Sequence, residues 1–390
     1  MVAAGTLATL FVAGLASLFM AWAIGAGSSG STPFAPAVGA NAISVMRAGF
    51  VVGLLGFAGA VLQGANVTQA VGTQLVVGVQ LTATAAIVGL LTAAVLVAIG
   101  VFTGYPIATA FTVTGAVVGV GLALGGDPAW AKYQQIATLW ILTPFVGGGT
   151  AFLTAVALRT ERLSERAVVS VLAAIVGALV ANIEFAALGD ADGAGTLAGT
   201  LGAAAGVPAG RAVVTLALAL AAAGVLFREV TRQRKAAERR FLLVLGALVA
   251  FSAGGSQVGL AIGPLVPLLD EVAIPLWAVL AGGGLGLLVG SWTGAPRMIK
   301  ALAQDYSSLG PRRSIAALIP SFAIAQTAVA FGVPVSFNEI IVSAIIGSGY
   351  AAGGGDVSRR KMLLTVLAWV GSLALALGVG YGAFTAIAAL

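Results

Sequence analysis

The sequence has no cysteine and no histidine in 390 residues, and only 8% of its positions are charged. Without cysteine there is no disulfide and no thiolate chemistry, and without either residue the usual zinc and haem ligands are missing. The missing imidazole also removes the side chain that most often moves protons near neutral pH. The scarcity of charge excludes more. A soluble domain carries roughly 25% charged residues, and a chain with 8% charged and 59% hydrophobic positions cannot cover its surface with wetted groups. Mean hydropathy is +1.07. Apolar stretches recur along the whole chain, each near the ~20 residues that cross a ~30 Å hydrocarbon layer. The net charge of +6 does not mark a nucleic-acid partner, because the basic residues sit in short breaks between apolar stretches. The first stretch, Val2 to Ile24, has no basic leader and reads as a span.

What is present reads as an all-α integral membrane protein, multi-pass in the cell membrane, with about twelve spans. They are expected near 3–24, 48–63, 78–100, 104–125, 135–157, 167–187, 211–227, 241–260, 273–292, 314–330, 335–351 and 362–386. Basic clusters at Arg159–Arg166 and Arg228–Arg240 mark the cytoplasmic side. The hairpin between them then turns outside at Asp190 and Asp192. Asp270 and Glu271 also fall outside, Arg359, Arg360 and Lys361 inside, and both termini are extracytoplasmic.

The chain contains one pattern twice. AIGAGSSGS at 23–31 is followed 229 residues later by SAGGSQVGLAIGPL at 252–265, and the same offset carries Trp140 onto Trp369. GYPIATAFTVTGAVVGVG at 104–121 falls on GVPVSFNEIIVSAIIGSG at 332–349, matching Gly104 with Gly332 and Pro106 with Pro334. The second-half loops are rich in basic residues where their first-half counterparts carry only Lys132. The halves are therefore expected to be inverted repeats, 1–158 and 241–390, around a central hairpin at 159–240 with basic cytoplasmic linkers. Gly/Pro-broken helices at matching places in inverted repeats point to a transporter with a midplane site.

A broken, re-entrant helix frees backbone groups that are tolerated only in protein or against a wet cavity. Its N-terminus offers amides and a partial positive charge to an anion. Hydroxyl and amide side chains crowd these breaks: Ser28, Ser29, Thr109, Thr112, Ser256, Gln257, Ser336 and Asn338 are the candidate substrate-binding residues. Any one of them could simply pack a helix contact; their clustering at repeat-related breaks favours binding. Glu339 lies in an apolar stretch with no basic neighbour. A lone intramembrane carboxyl is costly and points to function, here as the proton-coupling group. No cluster of metal ligands and no acid–base pair is present, so neither an enzyme nor a cofactor or metal is expected.

GGSQVGLAIGPL at 254–265 resembles the GANDVANAIGPL signature of inorganic phosphate transporters, and GVPVSFNEIIVSAIIGSG resembles that family's G-x-P-V-S-T-T-H element. The resemblance covers nearly the whole chain. It implies a permease for an inorganic oxyanion, by alternating access, and allows a homodimer. The family's signature aspartates fall on Ser28 and Gln257, so the resemblance leaves the usual sodium sites without their carboxylates. A sulfate-permease branch is similar in its carboxylate-free first motif, and on that ground sulfate is favoured over phosphate and H+ over Na+. The alternatives are a sodium-coupled phosphate transporter and a channel-like or non-transporting member.

Overall fold

The computed structural model describes residues 4–160, 164–185, 188, 195–206, 208–269, 274–354 and 357–390. Asp190, Asp192, Asp270 and Glu271 lie outside the described residues, as do Glu161 and Arg162 of the first basic cluster. The described chain is helical almost throughout, with two minimal antiparallel pairs: Val76–Val77 against Asp127–Pro128, and Glu184–Phe185 against Gly195–Thr196. Among the described residues, eight helices are long and apolar enough to cross a membrane.

The first half runs through α1 (Ala4–Ile24), a π-turn at Gly25–Ser29, α2 (Ala35–Gly39), α3 (Val45–Gln63), α4 (Ala65–Thr73), α5 (Ala83–Thr103), α6 (Thr109–Ala123) and α7 (Trp130–Arg159). Next come α8 (Glu165–Ala181) and the short α9 (Leu197–Ala204). The long α10 (Gly210–Ile262) ends in a 3-10 turn at Gly263–Leu268, and is followed by α11 (Leu276–Thr293), α12 (Ala295–Gln304), α13 (Pro311–Ala330), α14 (Phe337–Tyr350) and α15 (Arg359–Ala388). The stretch 228–240, expected as a linker between two spans, holds a break: α10 is two helices joined at Gln233, where φ is −148° and ψ 82° leave helical geometry, and the residues on either side of it are helical. Continuous Arg, Lys, Glu and Ala there favour helix even where charge takes the chain out of the apolar layer.

The breaks fall where the residues force them. α5 ends at Gly104 and α13 just before Gly332, and both glycines adopt a left-handed φ, +75° and +56°. The next amide reaches back five residues in each case: Tyr105 N–H to Gly100 O at 3.1 Å, and Val333 N–H to Ala328 O at 2.9 Å. This is the hydrogen bond of a glycine-terminated helix end, and a proline follows it in each copy. The helices that resume, α6 with 15 residues and α14 with 14, reach only about 21–22 Å at ~1.5 Å per residue. Neither spans a ~30 Å layer alone.

Contacts also recur at the repeat offset. Trp140 on α7 donates its indole N–H to Pro334 O at 2.9 Å, and Trp369 on α15 donates to Pro106 O at 2.8 Å. A Cβ at Gly59 on α3 would run into the carbonyl of Phe251 on α10, and one at Gly290 on α11 into that of Trp22 on α1. Glycine lets each of these backbone pairs touch. The core between them is built from small and branched residues such as Ala21, Ala253, Ile262 and Leu287.

Candidate functional site

Both Gly-rich stretches and both breaks converge on one buried polar cluster. Gly-Ala-Gly-Ser-Ser cannot sustain regular α-helix, and α1 opens into a π-turn whose Ser28 carbonyl takes the amides of Ser31 and Thr32, each at 3.0 Å. That turn aims Ser28 Oγ at Gln257 of α10, donating to Oε1 at 3.2 Å. Thr109, the first residue of α6, donates to the same oxygen at 2.8 Å and lies 3.4 Å from Ser28 Oγ. Gln257 Nε2 donates to Val335 O at 2.7 Å, in the segment after Pro334. Asn338, in the first turn of α14, closes the ring: its Nδ2 donates to Gly27 O at 2.9 Å and to Ile107 O at 2.7 Å. Ser28, Thr109 and Gln257 are fully buried, and Asn338 is 1% exposed.

Two atoms of this region are left without partners. Asn338 Oδ1 and Ser256 Oγ are buried with no hydrogen bond. Such orphans are rare in folded interiors, and a bound ligand is one of the standard reasons for them. The N-terminus of α6 adds further donors, because Ala108 supplies no side-chain cap and the first amides of a helix have no partner within it.

The remaining candidates divide. Ser29 is buried in the π-turn beside Ser28. Thr112 spends its hydroxyl proton on Ala108 O, inside its own helix, at 3.0 Å. Ser336 caps α14 by accepting from Glu339 N–H at 3.4 Å. Glu339 itself is only 2% exposed, and it is among the residues lining an apolar crevice between α7, α14 and α15. Consecutive helical residues point ~100° apart, so Asn338 and Glu339 serve different surroundings.

A second polar group went unread in the sequence. Gln63 at the end of α3 donates to Glu184 O at 2.7 Å and to Gln326 Oε1 on α13 at 3.3 Å. Gln326 donates to Ser252 Oγ at 2.6 Å, and Asn66 to Glu184 Oε2 at 3.5 Å. The polar run Gln63-Gly64-Ala65-Asn66 at a helix break was the available signal. Among the described residues, no three His, Cys, Asp or Glu side chains gather closely enough to hold a metal ion.

Comparison with known proteins follows the same lines. The phosphate transporter family matches residues 4–380. A Thermococcus kodakarensis protein named as a phosphate permease is 26% identical over 375 residues, 90% of each chain. The chloroplastic inorganic phosphate transporter 2-1 of Arabidopsis thaliana is 26% identical over 425 residues, with 91% of this chain and 68% of that one aligned. A solved sodium-dependent phosphate transporter superposes with a TM-score of 0.81 over 98% of this chain and 100% of its own, at 21% identity, a likeness of fold. With the family match running from one end of the chain to the other, this multi-pass membrane protein belongs to the phosphate transporter family.

Proposed function

We propose that the chain carries inorganic phosphate across the membrane, binding it where Ser28, Thr109, Gln257 and Asn338 meet. The observation that carries this reading is the orphaned Asn338 Oδ1, beside an amide nitrogen already committed to two carbonyls. At neutral pH a phosphate ion still has a P–OH proton to donate to such an oxygen; sulfate has none. The uncapped amides of α6 supply donors to the other phosphate oxygens, and the hydroxyls of Ser28 and Thr109, donated to Gln257 Oε1 in this structure, join them by turning from that oxygen as phosphate enters. The carboxylate-free motif pointed to sulfate, but a neutral acceptor does the discriminating work that a carboxylate was expected to do.

Transport further requires that the cluster be exposed to each side of the membrane in turn. The halves 1–158 and 241–390 act as inverted repeats that rock about the cluster, with 159–240 as the hairpin between them. Twelve spans, counting half-helices, and extracytoplasmic termini complete it. The matched turns at Gly104 and Gly332 and the crossed tryptophan bonds support the duplication, and the basic second-half loops, against first-half counterparts with only Lys132, support the inversion. Proton coupling through Glu339 is the first reading of the driving force, supported by a buried carboxyl on the helix that carries Asn338. Sodium coupling is the second, favoured by the name of the structural neighbour.

The test is uptake of labelled phosphate into proteoliposomes, with and without a proton gradient and with and without sodium, under excess sulfate. Saturable phosphate uptake is expected, with sulfate competing at least about tenfold more weakly, as for a site that hydrogen-bonds a substrate hydroxyl. Sulfate uptake that phosphate cannot compete would sink the proposal. Uptake driven by sodium alone, unchanged in E339Q, would select the second reading of the coupling.

A further inference from the structure

Glu339 is a buried ionisable group that lies outside the polar cluster. Its Oε2 is buried with no hydrogen-bond partner, and Glu339 is one of the residues that line a cavity of about 710 Å³ between α7, α14 and α15. No Lys or Arg is among the residues that line this cavity. Six aromatic rings stand among its otherwise mostly aliphatic and glycine lining: Phe111 stacks on Trp140 with ring centroids 3.8 Å apart, and Phe145, Phe152, Tyr350 and Trp369 are the others. Both indole N–H groups are spent on the proline carbonyls, so the tryptophans have no further N–H to offer a ligand. The rim is apolar and exposed, with Ile141 at 64%, Phe145 at 72% and Val370 at 58%. These residues sit on α7 and α15, two of the long apolar spans, so the crevice opens towards lipid.

The arrangement also differs between the two halves. Phe111 and Glu339 occupy equivalent positions, 228 residues apart, as do Trp140 and Trp369 at 229. Where the first half places a ring, the second places a carboxyl, so an ionisable group stands on one wall only.

A carboxyl framed by aromatic rings matches the chemistry that recognises an ammonium group, and the volume falls within the ~300–1,000 Å³ of small-molecule pockets. We propose that this crevice binds a lipophilic amine drawn from the bilayer, its ammonium against Glu339 and the aromatic rings, its alkyl body along α7 and α15. The site is separate from the phosphate cluster, and its occupancy can be measured without any transport.

The experiment is equilibrium binding of tritiated dodecylamine to the purified protein in phosphatidylcholine nanodiscs, with dodecanol as the uncharged match. Wild type is compared with E339Q, which removes the charge, and with V366W, which fills the crevice from the lipid side and leaves the carboxyl intact. Saturable amine binding is expected, weakened about tenfold or more in E339Q, the scale of a lost charge-assisted contact, and weakened likewise in V366W. Size-exclusion profiles report folding, and if E339Q misfolds, V366W decides. Amine binding unchanged in both variants, or dodecanol held as tightly as dodecylamine, would overturn the proposal and make the crevice a lipid-filled seam.

Discussion

Ser28 and Gln257 stand 229 residues apart in sequence and 3.2 Å apart in space, at the positions where the family motif carries aspartates. Two facing carboxylates would repel unless a cation or proton sat between them; a hydroxyl and an amide need neither. Gln257 is the hub, accepting from Ser28 and Thr109 and donating to Val335 O. Gln257→Leu removes all three bonds. With buried groups left unpaired at about 1–3 kcal/mol each, kcat/KM for phosphate uptake is expected to fall at least about tenfold. Gln257→Asp is expected to make uptake respond more strongly to sodium, read from a sodium titration in proteoliposomes; an unaltered response would remove the neutral pair from any part in ion choice. These residues were legible because they occupy motif positions at a repeat offset. Glu339 was legible as an anomaly, but not its direction, since one residue along a helix turns a side chain by ~100°. Gln63 and Gln326 were not legible, because a single amide at the end of an apolar span looks the same whether it faces lipid, a neighbour or a path for substrate.

Among the elements, the two breaks are held by crossed tryptophans rather than by their own helices. Trp140 secures the turn at Pro334 and Trp369 the turn at Pro106, so each half braces the other half's broken helix. Phenylalanine keeps the ring and loses the donor. Trp140→Phe and Trp369→Phe are each expected to cost about 1–3 kcal/mol through an unpaired buried carbonyl, seen as a lower melting temperature in detergent. If the repeats are equivalent, both should slow phosphate uptake to a similar extent; a loss in only one would mean that one turn is static. The close helix crossings are less forgiving. Gly59→Val drives a side chain into the Phe251 carbonyl, and overpacking of about 1–3 kcal/mol or more should appear as poor recovery of folded protein. The breaks could be read from Gly-x-Pro spacing alone. The joint at Gly64, where α3 passes into α4, could not, because an apolar helix and a short amphipathic one run together there without a proline or a loop between them; at Gly294, where α11 passes into α12, Pro296 marks a new helix start but not that it follows directly. The helical turns flanking the break at Gln233 escaped for the opposite reason: charge density signals a membrane exit, and says nothing about how far the backbone on either side stays helical.

The molecule as a whole is tied across its charged end by Glu165 of α8, which pairs with Arg312 of α13 at 2.8 Å and with Arg234 of α10 at 3.0 Å. All three side chains are partly exposed, so each pair is worth only about 0–1 kcal/mol, and the clasp orients the central hairpin more than it stabilises the fold. The proposed inversion of the halves has a sharper consequence. Ala131 and Arg360 are repeat equivalents, 229 residues apart and both exposed, at the starts of α7 and α15. Inverted halves must place them on opposite faces of the membrane, and the basic run Arg359-Arg360-Lys361 assigns Arg360 to the cytoplasm. The chain has no cysteine of its own, so a single introduced thiol can be followed without background. Ala131→Cys is expected to react with a membrane-impermeant maleimide on intact cells, and Arg360→Cys only after the cells are opened. Labelling of both from the same side would make the halves parallel. The matched turns and crossed tryptophans would then describe a duplicated fold that cannot alternate by exchanging the roles of its halves, and the rocking mechanism would have to be abandoned even if phosphate transport itself were established.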